Sequence, residues 1–114
     1  MREIEGADKF YKVLAADALA NGEAKMVFAG VKRLALFRVD DEFHCIQSHC
    51  PHAGAPLANG TIEGCKVHCP RHSWVFDVQT GACETDPRYD VRRYEVRVED
   101  GFVFVGLPET SHIV

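Results

Sequence analysis

The chain has 114 residues and a formal net charge of −4; 46% of its residues are hydrophobic and 26% are charged. These fractions are typical of a globular protein, and they exclude a disordered or collagen-like chain. The sequence contains no long basic run of the kind that binds nucleic acid, and it contains no apolar stretch long enough to cross a membrane. The charged start, MREIE, lacks the apolar segment of an export signal, so we expect a single cytoplasmic domain over residues 1–114.

Short strands separated by turns are predicted for the first part of the chain. Residues 34–37, LALF, are apolar at every position, so the strand that contains them is expected to lie at the centre of a sheet, covered on both faces. The elements predicted here are strands at 10–14, 24–29, 32–39 and 42–47, a short helical turn at 15–20, and tight turns at 30–31 and 40–41.

The middle of the chain has a different composition. Residues 48–60 contain no aspartate, glutamate, lysine or arginine, and their two prolines and two glycines are incompatible with a regular strand or a long helix. The elements predicted beyond this segment are a strand at 61–68 interrupted by Gly64, an irregular loop at 69–72, a strand at 73–78, and a loop at 84–90 centred on Pro87.

The last part of the chain returns to regular alternation. Between residues 92 and 98, Tyr94, Val96 and Val98 share one face of the predicted strand, and charged residues occupy the other. The sequence EDGF at 99–102 is typical of a hairpin turn that leads into a strand at 102–105. We therefore predict an all-β protein whose framework comes from both ends of the chain and holds an insertion at about 45–83.

Five cysteines and six histidines are the unusual part of the composition. An odd number of cysteines argues against a pure disulfide framework, and cytoplasmic thiols are mostly reduced, bound to metal or catalytic. Four of these residues form two pairs, Cys50-x-His52 and Cys69-x-x-His72, which sixteen residues separate. Two thiolates and two imidazoles on tight turns suit either zinc or an iron–sulfur cluster.

The order of the pairs favours iron and sulfur. Structural zinc sites usually use Cys-x-x-Cys turns, or a cysteine pair followed by a histidine pair on a helix, whereas here the two residue types alternate. This order and spacing resemble the Rieske family, in which Cys-x-His is followed after a similar interval by Cys-x-x-His. The similarity extends over about residues 41–107 and includes GAPL at 54–57, Gly60, the W-x-F-D motif at 74–77, Thr80-Gly81 and Pro87.

The resemblance implies a Rieske fold, which is an antiparallel β-sandwich framework with an inserted cluster-binding subdomain of two loops. It also implies one [2Fe–2S] cluster per chain, with Cys50 and Cys69 as ligands of the inner iron. His52 and His72 would then be ligands of the outer iron, near the surface. Trp74, Phe76 and Tyr94 are expected first of all to pack in the core, and Trp74 would also shield the cluster from water.

Departures from the pattern of respiratory Rieske proteins indicate a different type. Those proteins carry a further cysteine in each loop, joined as a disulfide, but the positions here are Ala55 and Arg71, so that disulfide cannot form. Their hydroxyl groups two and four residues after the second histidine are replaced here by Trp74 and Phe76. Because fewer hydrogen bonds would stabilise the reduced cluster, we expect a reduction potential near about −150 mV rather than about +300 mV.

The small size leaves no room for a catalytic domain, so the resemblance implies an electron carrier rather than a self-contained enzyme. The favoured function is a ferredoxin that passes single electrons from a flavin reductase to the terminal oxygenase of an aromatic-ring dioxygenase system. The alternative within the family is the small subunit of an assimilatory NAD(P)H-dependent nitrite reductase, with the large subunit as partner. A structural zinc module that mediates an interaction is a third interpretation.

The other cysteines and histidines near the pairs are assigned structural roles. His49 and His68 directly precede the paired cysteines and are expected to be exposed or hydrogen-bonded rather than to bind metal. Cys45 and Cys65 are predicted to be small core residues in strands, and Cys83 is predicted to be a free thiol after a turn.

Overall fold

A computed structural model describes residues 9–51, 54–71 and 74–107. The strands in this part of the chain are β1 (Lys9–Ala15), β2 (Glu23–Ala29), β3 (Lys32–Val39), β4 (Glu42–Gln47), β5 (Thr61–Glu63), β6 (Lys66–His68), β7 (Val75–Asp77), β8 (Arg93–Glu99) and β9 (Phe102–Leu107). Short 3-10 helices occur at Ala16–Ala18, Leu57–Asn59 and Pro87–Tyr89. The bounds of β3 and β4 agree with the predicted strands, and the helical turn predicted at 15–20 is confirmed as the first 3-10 helix.

Six strands form one antiparallel sheet in the order β1-β9-β8-β4-β3-β2. The sheet curls until its two edge strands, β1 and β2, come into contact. The remaining strands form a small sheet in the order β5-β6-β7, which is inserted between β4 and β8 along the chain. The all-β framework with an insertion, as predicted from the alternation and the composition, is confirmed.

The central strand β3 is covered on both faces, as its apolar composition predicts. The side chains of residues 34–37 are fully buried, and they alternate between two apolar clusters. Ala35 and Phe37 belong to the loop-side cluster, whose other members include Cys50, Cys69 and Phe76. Leu34 and Leu36 belong instead to the framework cluster, whose other members are Leu19, Val27, Ala29, Cys45, Tyr94, Val103 and Val105. Because successive side chains of a strand point to opposite faces, β3 separates the framework cluster from the loop-side cluster.

The predicted strand at 61–68 is two strands joined by a tight turn. Gly64 has a φ of 57°, in the left-handed region, and it reverses the chain between β5 and β6. Cys65 lies in this turn, so its predicted place in a strand is wrong. The side chain is partly exposed at the edge of the loop-side cluster.

The predicted hairpin at 99–102 is confirmed. Asp100 and Gly101 have φ values of 52° and 80°, and they join β8 to β9 in a two-residue turn. Burial along β8 is less regular than the alternation suggests, because Tyr94 is buried whereas Val98 is 50% exposed. The reason is that β8 pairs with β4 only at its beginning, so the end of the strand extends past the core.

His44 on β4 is a half-buried imidazole whose surroundings favour the neutral form. Burial, reinforced by the positive charge of Arg93 and opposed by Glu42, lowers the pKa of His44 below its usual value. Its Nε2 atom has no hydrogen-bond partner among the described residues, and the nearest carboxylate oxygen, on Glu42, is 3.7 Å away. A proton on His44 would therefore be poorly compensated in the folded state.

Acid is therefore expected to destabilise the folded state through His44. The unfolded chain protonates this imidazole below about pH 6.5, whereas the folded chain resists protonation to a lower pH. The free energy of unfolding should then decrease as the pH falls through that interval, since the unfolded state binds more protons. Urea denaturation at about pH 8 and about pH 5 measures this loss. The loss should be smaller in His44→Phe, and an equal loss in both proteins would contradict the assignment.

Candidate metal centre

Cys50 lies in a tight loop that follows β4. Its backbone N–H donates to the carbonyl of Ala55 (2.9 Å), and its carbonyl accepts from the N–H of Gly54 (2.7 Å). Gly54 has a φ of 70°, which a residue with a side chain rarely adopts, so it permits the reversal of this loop. The Cys50 side chain is 1% exposed and belongs to the loop-side cluster.

Cys69 lies in a second loop, directly after β6, and this loop closes in the same way. The Cys69 N–H donates to the carbonyl of Trp74, five residues further on, at 2.7 Å. The same five-residue offset relates Cys50 to Ala55 in the first loop. The Cys69 side chain is 2% exposed and lies in the same apolar cluster as Cys50. The structure thus places both predicted cysteines in matching loops that face one core.

Gly60 is the point where the first loop meets the strand that leads to the second. A Cβ atom here would lie 2.1 Å from the carbonyl oxygen of His68 and 2.9 Å from Val67 Cγ2. Only a hydrogen fits at this distance, so the residue allows the segment after Cys50 to approach the segment before Cys69. Gly60 is part of the motif that carries the family resemblance, but no local pattern in the sequence reveals this contact.

The two predicted histidine ligands, His52 and His72, lie outside the described residues. Within residues 9–51, 54–71 and 74–107, no three cysteine, histidine or acidic side chains converge as a metal site. The complete set of four ligands therefore stays a prediction, and the described part of the centre consists of Cys50 and Cys69.

The neighbouring histidines are hydrogen-bonded, as expected. Nδ1 of His49 lies 2.8 Å from the Ser48 hydroxyl, and Nε2 of His68 lies 2.9 Å from a carboxylate oxygen of Glu63. Each ring is therefore engaged by a residue of its own loop or sheet.

The other three cysteines lie outside the two loops that carry Cys50 and Cys69. Cys45 is 1% exposed in the framework cluster, as predicted, and burial raises its pKa. Burial, with a smaller effect of the Asp77 carboxylate, also raises the pKa of Cys65. Cys83 is a free thiol, as predicted, although it is buried, and its sulfur accepts a hydrogen bond from the Asp86 N–H at 3.4 Å.

A third loop, predicted at 84–90, packs beside the second. Tyr89 contacts Trp74 edge to face, with ring centroids 5.2 Å apart and an interplanar angle of 71°. Asp86 caps the 3-10 helix by accepting from the Arg88 N–H, and the hydrogen bonds from Arg88 hold the pKa of Asp86 below its usual range. Asp90 fastens the end of the loop by accepting from the Cys83 N–H at 2.8 Å. Neither Asp86 nor Asp90 is among the residues predicted from the sequence, although an aspartate before Pro87 is a typical capping signal.

Known proteins share this arrangement of paired loops on an all-β framework. A family model described as the Rieske [2Fe-2S] domain matches residues 9–95. The chain belongs to the Rieske family. Membership of the Rieske family implies a Rieske-type [2Fe–2S] cluster as the cofactor. Within the described ranges, no helix is long and apolar enough to cross a membrane.

This Rieske chain covers very different shares of the curated relatives that it matches. It is 35% identical over 88 residues to apoptosis-inducing factor 3 from Homo sapiens, covering 76% of the chain but only 14% of that protein. It is 36% identical over 94 residues to the ferredoxin subunit of anthranilate 1,2-dioxygenase from Burkholderia cepacia, covering 82% of the chain and 87% of that subunit. The ferredoxin subunit, unlike the first relative, is thus matched over most of its length.

Solved Rieske structures agree with the fold. The chain is 34% identical to a chain in the complex of reduced oxygenase and oxidised ferredoxin of carbazole 1,9a-dioxygenase, with a TM-score of 0.78 and coverage of 85% and 92%. It is 28% identical to a structure assigned as the NADH-dependent nitrite reductase small subunit of Mycobacterium tuberculosis, with a TM-score of 0.81 and coverage of 88% and 96%. Both classes considered in the sequence analysis therefore occur among the similar structures.

The described residues fit the cysteine half of a Rieske cluster. Thiolates are the ligands that iron–sulfur clusters require, and the two that the family motif selects lie in matching closed loops. Their apolar surroundings, which include Val67 and Phe76, exclude water from this side of the centre.

Proposed function

We propose that this Rieske domain is a one-electron carrier that accepts electrons from a flavin-containing reductase and delivers them to a terminal oxygenase. The observation that carries the proposal is the pair of matching closed loops that bury Cys50 and Cys69 at one core. The similarity to dioxygenase ferredoxins over most of their length supports the choice of partners.

Four residues would hold the cluster, as the family motif suggests. Cys50 and Cys69 would ligate the inner iron, and His52 and His72 the outer one. The cluster supplies one reversible electron. The apolar side chains around Cys50 and Cys69 would keep water away from the thiolates. The described part of the uncharged segment, residues 48–51 and 54–60, would form a rim that suits a small, transient interface.

A second candidate function is supported by one similar structure. The match to the nitrite reductase small subunit covers 96% of that chain. In that case the same loops would pass electrons within a larger enzyme, and the partner would be its large subunit. In either case we propose a cytoplasmic location, and one domain over residues 1–114 in which about 45–83 forms the cluster-binding subdomain.

A redox titration followed by electron paramagnetic resonance tests the proposal. We expect a red-brown protein that gives a Rieske-type signal on reduction and titrates as one electron. Its midpoint should lie near about −150 mV, because Trp74 and Phe76 offer no hydroxyl to the cluster. A colourless protein that contains zinc would overturn the proposal, and a clearly positive midpoint would refute the expected effect of these two residues.

A further inference from the structure

A basic groove of about 430 Å³ opens beside the loop after β4 that carries Cys50, which we call the first cluster loop. It lies between the β2–β3 turn, the end of β4 and the start of β8, and its lining includes Lys32, Arg33, Arg92 and His49. We call it the basic groove. All three of its lysine and arginine side chains are on exposed residues, and none forms an ion pair within the described part of the chain.

Gln47 connects the basic groove to the loop that carries Cys50. Its backbone N–H donates to the Arg92 carbonyl (3.0 Å), and its side-chain oxygen accepts from the Arg92 N–H (3.3 Å). Its side-chain nitrogen donates to the carbonyl of His49 (3.0 Å), the residue before Cys50. The backbone that bears Arg92 is thus held at a fixed position relative to the first cluster loop.

The positive charge of the basic groove contrasts with the opposite ends of the same strands. Lys32 begins β3, and Arg93 at the start of β8 pairs with Ile46 near the end of β4, so the strand ends at the groove carry basic residues. The other ends of these strands carry acidic residues at the turns after β3 and β8: Asp40, Asp41, Glu42, Glu99 and Asp100. Near the loops, Glu84 forms an ion pair with Lys66, and Glu63 forms a hydrogen bond with His68. A chain of net charge −4 thus concentrates basic residues beside the loop of Cys50.

We propose that the basic groove docks a carboxylate-rich surface of the protein with which this chain exchanges electrons. Docking there would orient the chain so that the loop of Cys50 faces that protein. The inference rests on the proposed function, which it deepens by naming the chemistry of the partner surface. Exposed point charges around an open groove favour a protein surface over a small anion, because they steer an encounter without enclosing a ligand.

The rate at which small oxidants take the electron reports the local charge. Reduced protein is mixed in a stopped-flow instrument with hexacyanoferrate(III), an anion, or with tris(phenanthroline)cobalt(III), a cation. Each takes one electron from the reduced cluster and becomes hexacyanoferrate(II) or the cobalt(II) complex. If the basic groove determines the local potential, oxidation by the anion should be fastest at low salt, and its rate should fall by about tenfold as the salt concentration increases. The net charge of −4 alone predicts the opposite trend, which would overturn the proposal.

Charge reversal tests whether this positive potential comes from the basic groove. Arg33→Glu and, independently, Arg92→Glu should each slow hexacyanoferrate(III) several-fold at low salt. Lys25→Glu is the matched control, since Lys25 is exposed on β2 outside the groove and the change in net charge is identical. Equal slowing in the control and in the two groove variants would overturn the proposal.

A competitor distinguishes a protein surface from a small anion. Hexaglutamate peptide should inhibit the hexacyanoferrate(III) reaction of the unmodified protein at low salt, and much less that of Arg33→Glu. Stronger inhibition by pyrophosphate than by the peptide would overturn the proposal in favour of a small-anion site. If the protein gives a normal Rieske signal but its rate with hexacyanoferrate(III) does not depend on the groove charges, the proposed docking surface is refuted and the proposed function is not. A protein without the signal refutes the proposed function and, with it, this inference.

Discussion

Cys69→Ala protein is expected to be colourless and to lack the electron paramagnetic resonance signal of a [2Fe–2S] cluster. Alanine removes one of the two thiolates proposed for the inner iron, and the nearby thiols of Cys65 and Cys83 lie outside the two loops that carry Cys50 and Cys69. Loss of the cluster should also lower the thermal midpoint of unfolding, because binding to the folded state alone stabilises it. Iron content, visible absorption and the resonance signal measure the result.

Cys65→Ala is the matched control for this experiment. It removes a thiol from the same inserted sheet, but from the turn between β5 and β6 rather than from a cluster loop. We expect this variant to keep two irons per chain and a normal signal. A cluster retained in Cys69→Ala, or lost equally in both variants, would refute the assignment of Cys69 as a ligand.

Gly60→Ala is expected to separate the two cluster loops. Its Cβ would lie 2.1 Å from the carbonyl oxygen of His68, which is backbone and cannot rotate away as a side chain can. The φ of Gly60 is −80°, an ordinary value for alanine, so the damage would come from the contact and not from the backbone conformation. We expect a loss of about 3 kcal/mol in the free energy of unfolding and a reduced occupancy of the cluster.

Gly64→Ala separates steric contact from general sensitivity to a methyl group. Gly64 has a φ of 57° and nothing within 4 Å of its Cβ position. Alanine there should cost only the backbone strain, about 1 kcal/mol, and leave the cluster in place. Urea denaturation and iron analysis of both variants measure the difference. If Gly64→Ala lost the cluster as readily as Gly60→Ala, close approach of the loops would not be the cause.

The strands and turns of this protein could largely be predicted from the sequence because their signals are local. The apolar run at 34–37 identified a strand covered on both faces, and the EDGF sequence identified the β8–β9 turn. Such features depend on side chains within a few residues of each other. The order and spacing of Cys50, His52, Cys69 and His72 likewise carried the resemblance to the Rieske family, together with the flanking motifs.

Other properties depended on contacts between segments that are distant along the chain. Cys65 lies within the strand predicted at 61–68, but Gly64 forms a turn there that reverses the chain and pairs β5 with β6. Val98 continues the apolar pattern of Tyr94 and Val96, yet it is half exposed because β4 does not extend beside it. In both cases the pairing of strands, which is not encoded by local alternation, decided the outcome.

The paired cysteines and histidines, with their flanking motifs, were enough to show the resemblance to the Rieske family, and that resemblance implied an electron carrier. Composition and spacing by themselves suit zinc as well as an iron–sulfur cluster. The approach of Gly60 to His68, and the meeting of Arg33 with Arg92 in one groove, required the folded chain. Such juxtapositions join residues that lie far apart in sequence, and only packing of the inserted loops against the curled sheet brings them together.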